Sequence, residues 1–77
     1  MFRNKDEIES TEVQWYWNNG TDQQPNWVPF DERNSDIIEL SLKNADFLPD
    51  GGFTMKLGLP GNEQPYTIYP AKRLQVL

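Results

Sequence analysis

The stretch VQWYWNNG, residues 13–20, places two tryptophans and a tyrosine side by side in a chain that is otherwise polar. In a β-strand, successive side chains point to opposite faces, so Trp15 and Trp17 share one face and Tyr16 lies on the other. The alternation and the aromatic content predict a strand over residues 13–17. One of the two aligned tryptophans can fill a core. The other, nearer the strand end, is suited either to pack or to receive a ligand.

The composition excludes several kinds of chemistry. The chain has 77 residues, which predicts a single domain, and it contains no cysteine and no histidine. Disulfides, Cys/His zinc sites and serine or cysteine nucleophiles with a histidine base are therefore excluded. Neighbouring Asp31 and Glu32 are typical of a solvated surface, because a paired acid and base must face each other across a cleft. We expect a binding module that is not an enzyme and has no cofactor and no metal.

The charge and hydropathy of the chain restrict its partners. The net charge of -5 disfavours binding to DNA through the overall field. No apolar run approaches the roughly 20 residues of a membrane span, and the charged start MFRNKDEIESTE does not resemble a signal peptide. We expect a flexible tail at residues 1–12, a domain at residues 13–77, and a monomeric intracellular protein of the cytoplasm or nucleus.

Several further segments read as strands. WVPF, residues 27–30, pairs with the first strand as a hairpin across a long polar turn that contains Asn19-Gly20. Residues 53–59 alternate most clearly, with Phe53, Met55, Leu57 and Leu59 on one face.

Two turn signals shape the second half of the chain. Pro60-Gly61 suits the middle of a type II turn. Pro70 interrupts an extended pattern between residues 66–69 and 72–77, which predicts a bulge or bend there.

The stretch DERNSDIIELSLKN is ambiguous from its local pattern. Asn34 or Ser35 could cap a helix, and Ile38 and Leu42 are spaced for one helix face. Ile38, Leu40 and Leu42 also alternate with polar residues, as in a strand. Local pattern leaves both structures open.

The order of the aromatic and polar residues carries a family resemblance. Trp15-x-Trp17 is followed by Trp27-x-x-Phe30-Asp31 and then by Ser35-x-x-Ile38-Glu39, and Gln75 lies nine positions after Tyr66. This order resembles the WWE domain over about residues 13–75. That family takes its name from two tryptophans and a glutamate, which here would be Trp15, Trp27 and Glu39.

The resemblance implies an α+β fold, a strongly curved antiparallel half-barrel sheet packed around one short helix. Residues 34–44 would then be the helix, with Ile38 and Leu42 facing the sheet. Trp15, Trp27 and Glu39 would belong to the structural core.

The resemblance also implies a function. WWE domains are found beside ubiquitin-ligase or ADP-ribosyltransferase domains, and several bind the iso-ADP-ribose unit of poly(ADP-ribose) in an aromatic pocket at one end of the half-barrel. Carried over to this chain, the ligand-binding residues would be Trp17, Tyr66, Arg73 and Gln75, with Trp17 at the pocket mouth. The alternatives are a scaffold that contacts protein partners without binding a nucleotide, and a carbohydrate-type binding module.

The end of the chain departs from the family pattern. In the family, a basic strand that holds the phosphates follows the glutamine, whereas this sequence stops at Leu77. We therefore expect a shortened or truncated member that binds the nucleotide weakly.

Overall fold

The computed structural model describes residues 1–7 and 12–77, which form two three-stranded antiparallel sheets and one long helix. The first sheet has the order β1-β2-β3 and the second the order β4-β5-β6. The strands are β1 Phe2–Arg3, β2 Trp15–Asn18, β3 Trp27–Pro29, β4 Phe53–Leu57, β5 Gln64–Tyr69 and β6 Leu74–Val76. The helices are the single turn α1 Asn4–Glu7 and the long α2 Glu32–Lys43, and 3-10 turns span Ala45–Phe47, Pro49–Gly51 and Pro70–Lys72. Within residues 1–7 and 12–77 the two sheets are not closed into a barrel. The predicted α+β class, a curved half-barrel around one helix, is confirmed.

Helix α2 begins two residues before the predicted start at residue 34. Its N-cap is Asp31, whose side chain accepts a hydrogen bond from the Asn34 backbone N–H at 2.7 Å. Asp31 thus satisfies one of the backbone donors that a helix start leaves without a partner. The expected cap at Asn34 or Ser35 is wrong, because Ser35 lies inside the helix, buried against β2.

The core lies between α2 and the inner faces of the two sheets. Ile38 of the helix and Trp15 of β2 have no exposed surface, and Leu42 packs against the same cluster. The fully buried or nearly buried apolar side chains of this core are Trp15, Trp17, Phe30, Ile38, Leu57 and Ile68. The helix therefore presents Ile38 and Leu42 to the sheets, as the helical pattern predicts.

The β4–β5 hairpin follows the predicted alternation up to Leu57 and then ends. Gly58 has a φ of 141°, and a Cβ at this position would lie 2.6 Å from the Asn62 carbonyl oxygen, so the backbone here requires glycine. Leu59 is consequently turned out of the strand and is 67% exposed, which corrects its expected place on the core face. The turn itself has the predicted type II character, with Gly61 at a φ of 84°.

The β5–β6 connection is a tight return, not a continued strand. Pro70 starts a 3-10 turn, and Arg73 ends it in the left-handed conformation, with a φ of 55°. Strand β6 then runs antiparallel to β5, with Gln75 opposite Ile68. The extended segment expected at residues 72–77 is shortened to β6 for this reason.

Of the tail predicted for residues 1–12, the structure describes residues 1–7 and 12. Residues 8–11 lie outside the described part of the chain. Strand β1 pairs with β2, with Phe2 opposite Tyr16 and Arg3 opposite Trp15. This pairing adds a strand that the sequence does not predict. The division into a flexible segment 1–12 and a domain 13–77 stays a prediction, because flexibility concerns motion in solution.

Trp27 differs from its expected place in the core. Its side chain is 44% exposed, whereas its neighbour Val28 packs against the core. Since side chains alternate along β3, only one of these two residues can face inward. Trp27 instead contacts Phe2 on the outer face, with ring centroids 6.0 Å apart.

Candidate ligand recess

An open recess of about 500 Å³ lies where the β2–β3 loop meets the β5–β6 return. Three of the four ligand-binding residues predicted from the sequence line it: Tyr66, Arg73 and Gln75. The further lining residues are Met1, Asn18, Gly20, Thr21, Asp22, Gln23, Trp27, Leu74 and Leu77. We call this the ligand recess.

Gln75 joins the two sheets at the wall of the ligand recess. Its Oε1 accepts a hydrogen bond from the Asn18 backbone N–H at 2.7 Å, and its Nε2 donates to the Asn18 carbonyl oxygen at 2.9 Å. The side-chain amide therefore completes for β2 the pair of hydrogen bonds that a neighbouring strand would supply. The Gln75 amide nitrogen carries two protons and so keeps one further donor position. The amide oxygen can accept twice and so keeps one further acceptor position.

Asn18 also organises the loop that forms one side of the ligand recess. Its Oδ1 accepts from the backbone N–H of Gly20 at 2.8 Å and from that of Asn26 at 2.9 Å. The tight turn of this loop lies at residues 21–24, where the Thr21 N–H donates to the Gln24 carbonyl at 3.1 Å. A Cβ on Gly20 would lie 2.3 Å from that same carbonyl oxygen. Glycine is required at residue 20 because the backbone folds back on itself.

Arg73 is the cationic side chain of the ligand recess. Its guanidinium lies over the Trp15 ring, 4.9 Å from the centroid, and donates to the Pro70 carbonyl oxygen. The sequence predicts that Arg73 and Gln75 share a strand face by parity. The structure brings both to the recess by another route, because Arg73 lies in the return and not in β6.

The aromatic residues are distributed differently from the prediction. Trp17 is 7% exposed and belongs to the core, where it follows Trp15 on the inner face of β2. The small opening that it reaches is a different one, of about 250 Å³, shared with Lys56 and Pro60. Trp27, expected in the core, supplies the aromatic surface of the ligand recess together with Tyr66. The structure therefore does not bring Trp17 together with the other three predicted residues.

Lys72, which neighbours Arg73 in sequence, does not line the ligand recess. Its Nζ lies over the Tyr69 ring, 5.5 Å from the centroid. Among residues 1–7 and 12–77, no group of three or more carboxylates could hold a metal ion. In the same part of the chain, neither helix has the length and apolar character needed to cross a membrane.

Glu39 connects the helix to the first sheet. Its carboxylate accepts from Arg3 Nε at 2.9 Å, from an Arg3 terminal nitrogen at 2.5 Å and from the Trp15 indole N–H at 2.8 Å. The hydrogen bond from Arg3 is the largest cause that lowers the pKa of Glu39, and burial opposes it. Ser35 adds a bond one turn earlier, accepting from the Trp15 backbone N–H at 3.1 Å. These contacts hold Trp15 in place.

Asn18 and Trp27 are two of the residues of the ligand recess that the sequence did not predict as part of it. Asn18 lies 57 positions from Gln75, so no local pattern indicates their pairing. Trp27 was assigned to the core on its residue type. Its neighbour Val28 was the sequence signal against a core position for Trp27. Side chains alternate along a short edge strand, so only one of Trp27 and Val28 can face inward.

Comparison with known proteins adds one finding. The family model of the WWE domain matches residues 13–76. No curated protein and no solved structure matches the chain.

Proposed function

The chain belongs to the WWE domain family, and on this premise we propose that it is a non-catalytic binding module whose ligand recess receives the iso-ADP-ribose unit of poly(ADP-ribose). The observation that carries the proposal is the convergence of Tyr66, Arg73 and Gln75 on one recess with Trp27 beside them. The volume of about 500 Å³ lies within the range of roughly 300–1,000 Å³ that is usual for small-molecule sites.

Each side chain suits a different part of such a ligand. An adenine stacked on Trp27 or Tyr66 gains about 1–3 kcal/mol. Gln75 still offers one donor and one acceptor, which match a purine edge or a ribose hydroxyl. The Arg73 guanidinium attracts the diphosphate, since arginine recognises phosphate oxygens through a planar set of donors.

The charge around the ligand recess limits the affinity. Asp22 lines the ligand recess together with Arg73, and the whole chain carries a net charge of -5. Both repel a diphosphate, so we expect weak binding. The proposed function implies an intracellular location near ubiquitination or ADP-ribosylation enzymes.

A second candidate is a scaffold that binds proteins and no nucleotide. It is favoured by the hydrogen bonds that Gln75 makes to Asn18 and that Arg73 makes to Pro70, since both side chains already have a role within the fold.

Titration of the full chain with iso-ADP-ribose, with AMP as a comparison ligand, separates the two candidates. Amide NMR signals of Thr21, Tyr66 and Leu74 should shift saturably, and iso-ADP-ribose should bind more tightly than AMP because it adds diphosphate contacts. Trp27→Ala should weaken binding about tenfold or more through the lost stacking surface.

The control variant is Phe47→Ala, which removes an aromatic ring that is 85% exposed and does not line the ligand recess. It should bind like the parent chain. If millimolar iso-ADP-ribose moves no amide signal of the ligand recess, the scaffold is the better function.

A further inference from the structure

Helix α2 carries an apolar stripe on the side turned away from the core. Ile37 is 39% exposed and Leu40 is 63% exposed, although both are large aliphatic side chains. Together with Arg33 and Asp36 they follow the spacing i, i+3, i+4 and i+7, which places all four on one helix face. Ile38 and Leu42 already occupy the core face of the same helix. The stripe is therefore a second apolar face that the described part of the chain leaves uncovered.

This face forms a shallow, open groove of about 760 Å³ along the helix from its N-cap to Leu40. Its lining residues are Asp31, Glu32, Arg33, Asp36, Ile37 and Leu40, and we call it the α2 groove. Single exposed apolar side chains are common on protein surfaces, but adjacent ones rimmed by polar groups are typical of an interaction surface.

The rim of the α2 groove is acidic. Glu32 and Asp36 lie four positions apart on the helix, are exposed, and make no ion pair within residues 1–7 and 12–77. Two like charges at this spacing repel each other and destabilise a helix. The same two carboxylates also border an adjoining cleft that contains Glu12 and Glu39.

The nearby cations compensate only part of this charge. Arg33 lies on the α2 groove itself, whereas Arg3 is bound to Glu39. The rim therefore keeps an excess of negative charge next to two apolar side chains. A cationic partner would relieve the repulsion between Glu32 and Asp36, whereas an acidic one would increase it.

We propose that the α2 groove docks a segment of a partner protein that carries large apolar side chains flanked by lysine or arginine. The apolar side chains pack against Ile37 and Leu40, and the cations face Glu32 and Asp36. Charge complementarity selects this occupant over a second copy of the chain. In a two-fold symmetric contact the same patch meets itself, which would bring the carboxylates together between molecules that each carry a charge of -5.

The α2 groove and the ligand recess share no lining residue. The docking surface therefore does not depend on nucleotide binding, and each can be tested with the other left intact.

The probe is a synthetic amphipathic helical peptide of leucine and lysine, with a counterpart in which every lysine is glutamate. The lysine peptide should shift the amide signals of Arg33, Ile37 and Leu40 saturably, and the glutamate peptide should not. Leu40→Ser should weaken binding about tenfold, because it removes the most exposed apolar contact of the α2 groove. The double variant Glu32→Gln, Asp36→Gln should also weaken it and reduce its salt dependence.

Leu59→Ser is the matched control, because Leu59 is also an exposed leucine, at 67%, and lies in the turn after β4. It should bind the lysine peptide like the parent chain. Thermal melts should show that Leu40→Ser and Leu59→Ser both stay folded.

Three results would each overturn the proposal. The first is that the lysine peptide fails to bind at millimolar concentration. The second is that its effects spread over the whole acidic surface and are equal in Leu40→Ser and the parent chain. The third is that sedimentation shows a dimer of the parent chain that Leu40→Ser dissociates, since the occupant would then be a second copy.

Discussion

Substitution of Glu39 by glutamine removes the charge that joins α2 to the first sheet. The carboxylate accepts hydrogen bonds from two nitrogens of Arg3, at 2.9 Å and 2.5 Å, and from the Trp15 indole at 2.8 Å. The Glu39 and Arg3 side chains are only 15% and 17% exposed, so water has limited access to the pair. The Arg3 guanidinium would lose this carboxylate as a partner in the folded state.

The expected loss follows from these contacts. Leaving one member of a buried ion pair without its partner costs about 3–5 kcal/mol. Glutamine keeps one acceptor oxygen, but its NH₂ group is a donor and would face the N–H donors of Arg3 or Trp15. Since the guanidinium retains some contact with water, we expect the low end of that range, about 3 kcal/mol. This is a large share of the ~5–15 kcal/mol that stabilises a typical domain.

The same ion pair predicts a pH dependence. The hydrogen bond from Arg3 lowers the pKa of Glu39, so the folded chain binds fewer protons here than the unfolded chain. The stabilisation is complete above the pKa of an unfolded glutamate, about 4.3, and is lost as the pH falls through the lower folded value. This component of acid destabilisation should be missing from Glu39→Gln.

Urea unfolding at neutral pH and thermal melts down to about pH 3 measure both effects. The control is Glu63→Gln, because Glu63 is exposed and makes no ion pair among the described residues. A surface change of this kind should alter stability by less than about 0.5 kcal/mol. If Glu39→Gln unfolds like the control and keeps the acid response of the parent chain, the contacts of Glu39 with Arg3 and Trp15 do not stabilise the fold to the extent expected here.

Three further substitutions test the fold around the ligand recess. Gln75→Ala should cost about 1–3 kcal/mol and speed hydrogen exchange at the Asn18 amide, which loses its partner; unchanged exchange would contradict the role of the Gln75 amide. Trp17→Ala should cost about 3–5 kcal/mol, because the side chain is 7% exposed within the core, and a parent-like thermal melt would refute this placement. Asp31→Ala should cost about 1 kcal/mol through the lost helix cap, measured by urea unfolding, while Asp31→Asn should keep most of the stability; equal losses would show that capping is not the cause.

The strands and turns were largely accessible from local sequence. Residues 53–57 alternate in burial as their apolar pattern predicts, and Gly61 takes the positive φ that a type II turn requires. These features depend on neighbouring residues, because side-chain alternation and backbone sterics act within a few positions. The family order of Trp15, Glu39 and Gln75 supplied the overall architecture.

The stretch at residues 31–44 shows where local information ends. A strand would place Ile38, Leu40 and Leu42 on one face, whereas a helix separates Leu40 from the other two. The structure exposes Leu40 at 63% and buries Ile38 completely, so the helical alternative holds. The sequence alone allowed both periods. Packing decided, because only the helix buries Ile38 against Trp15 while Glu39 reaches the Trp15 indole.

The sequence by itself determined the absence of cysteine and histidine chemistry, the single-domain size, the acidic charge and the pairing of Tyr66 with Gln75 in the family pattern. The tertiary structure alone decided which aromatic ring lines the ligand recess. Trp17 lies on the inner face of β2 and is buried in the core cluster with Phe30 and Leu57. Strand β3 lies at a sheet edge, and its alternation turns Val28 inward and Trp27 outward towards the recess. Such a choice depends on which surfaces meet after the chain has folded, and contacts between distant residues leave no trace in the spacing of nearby ones.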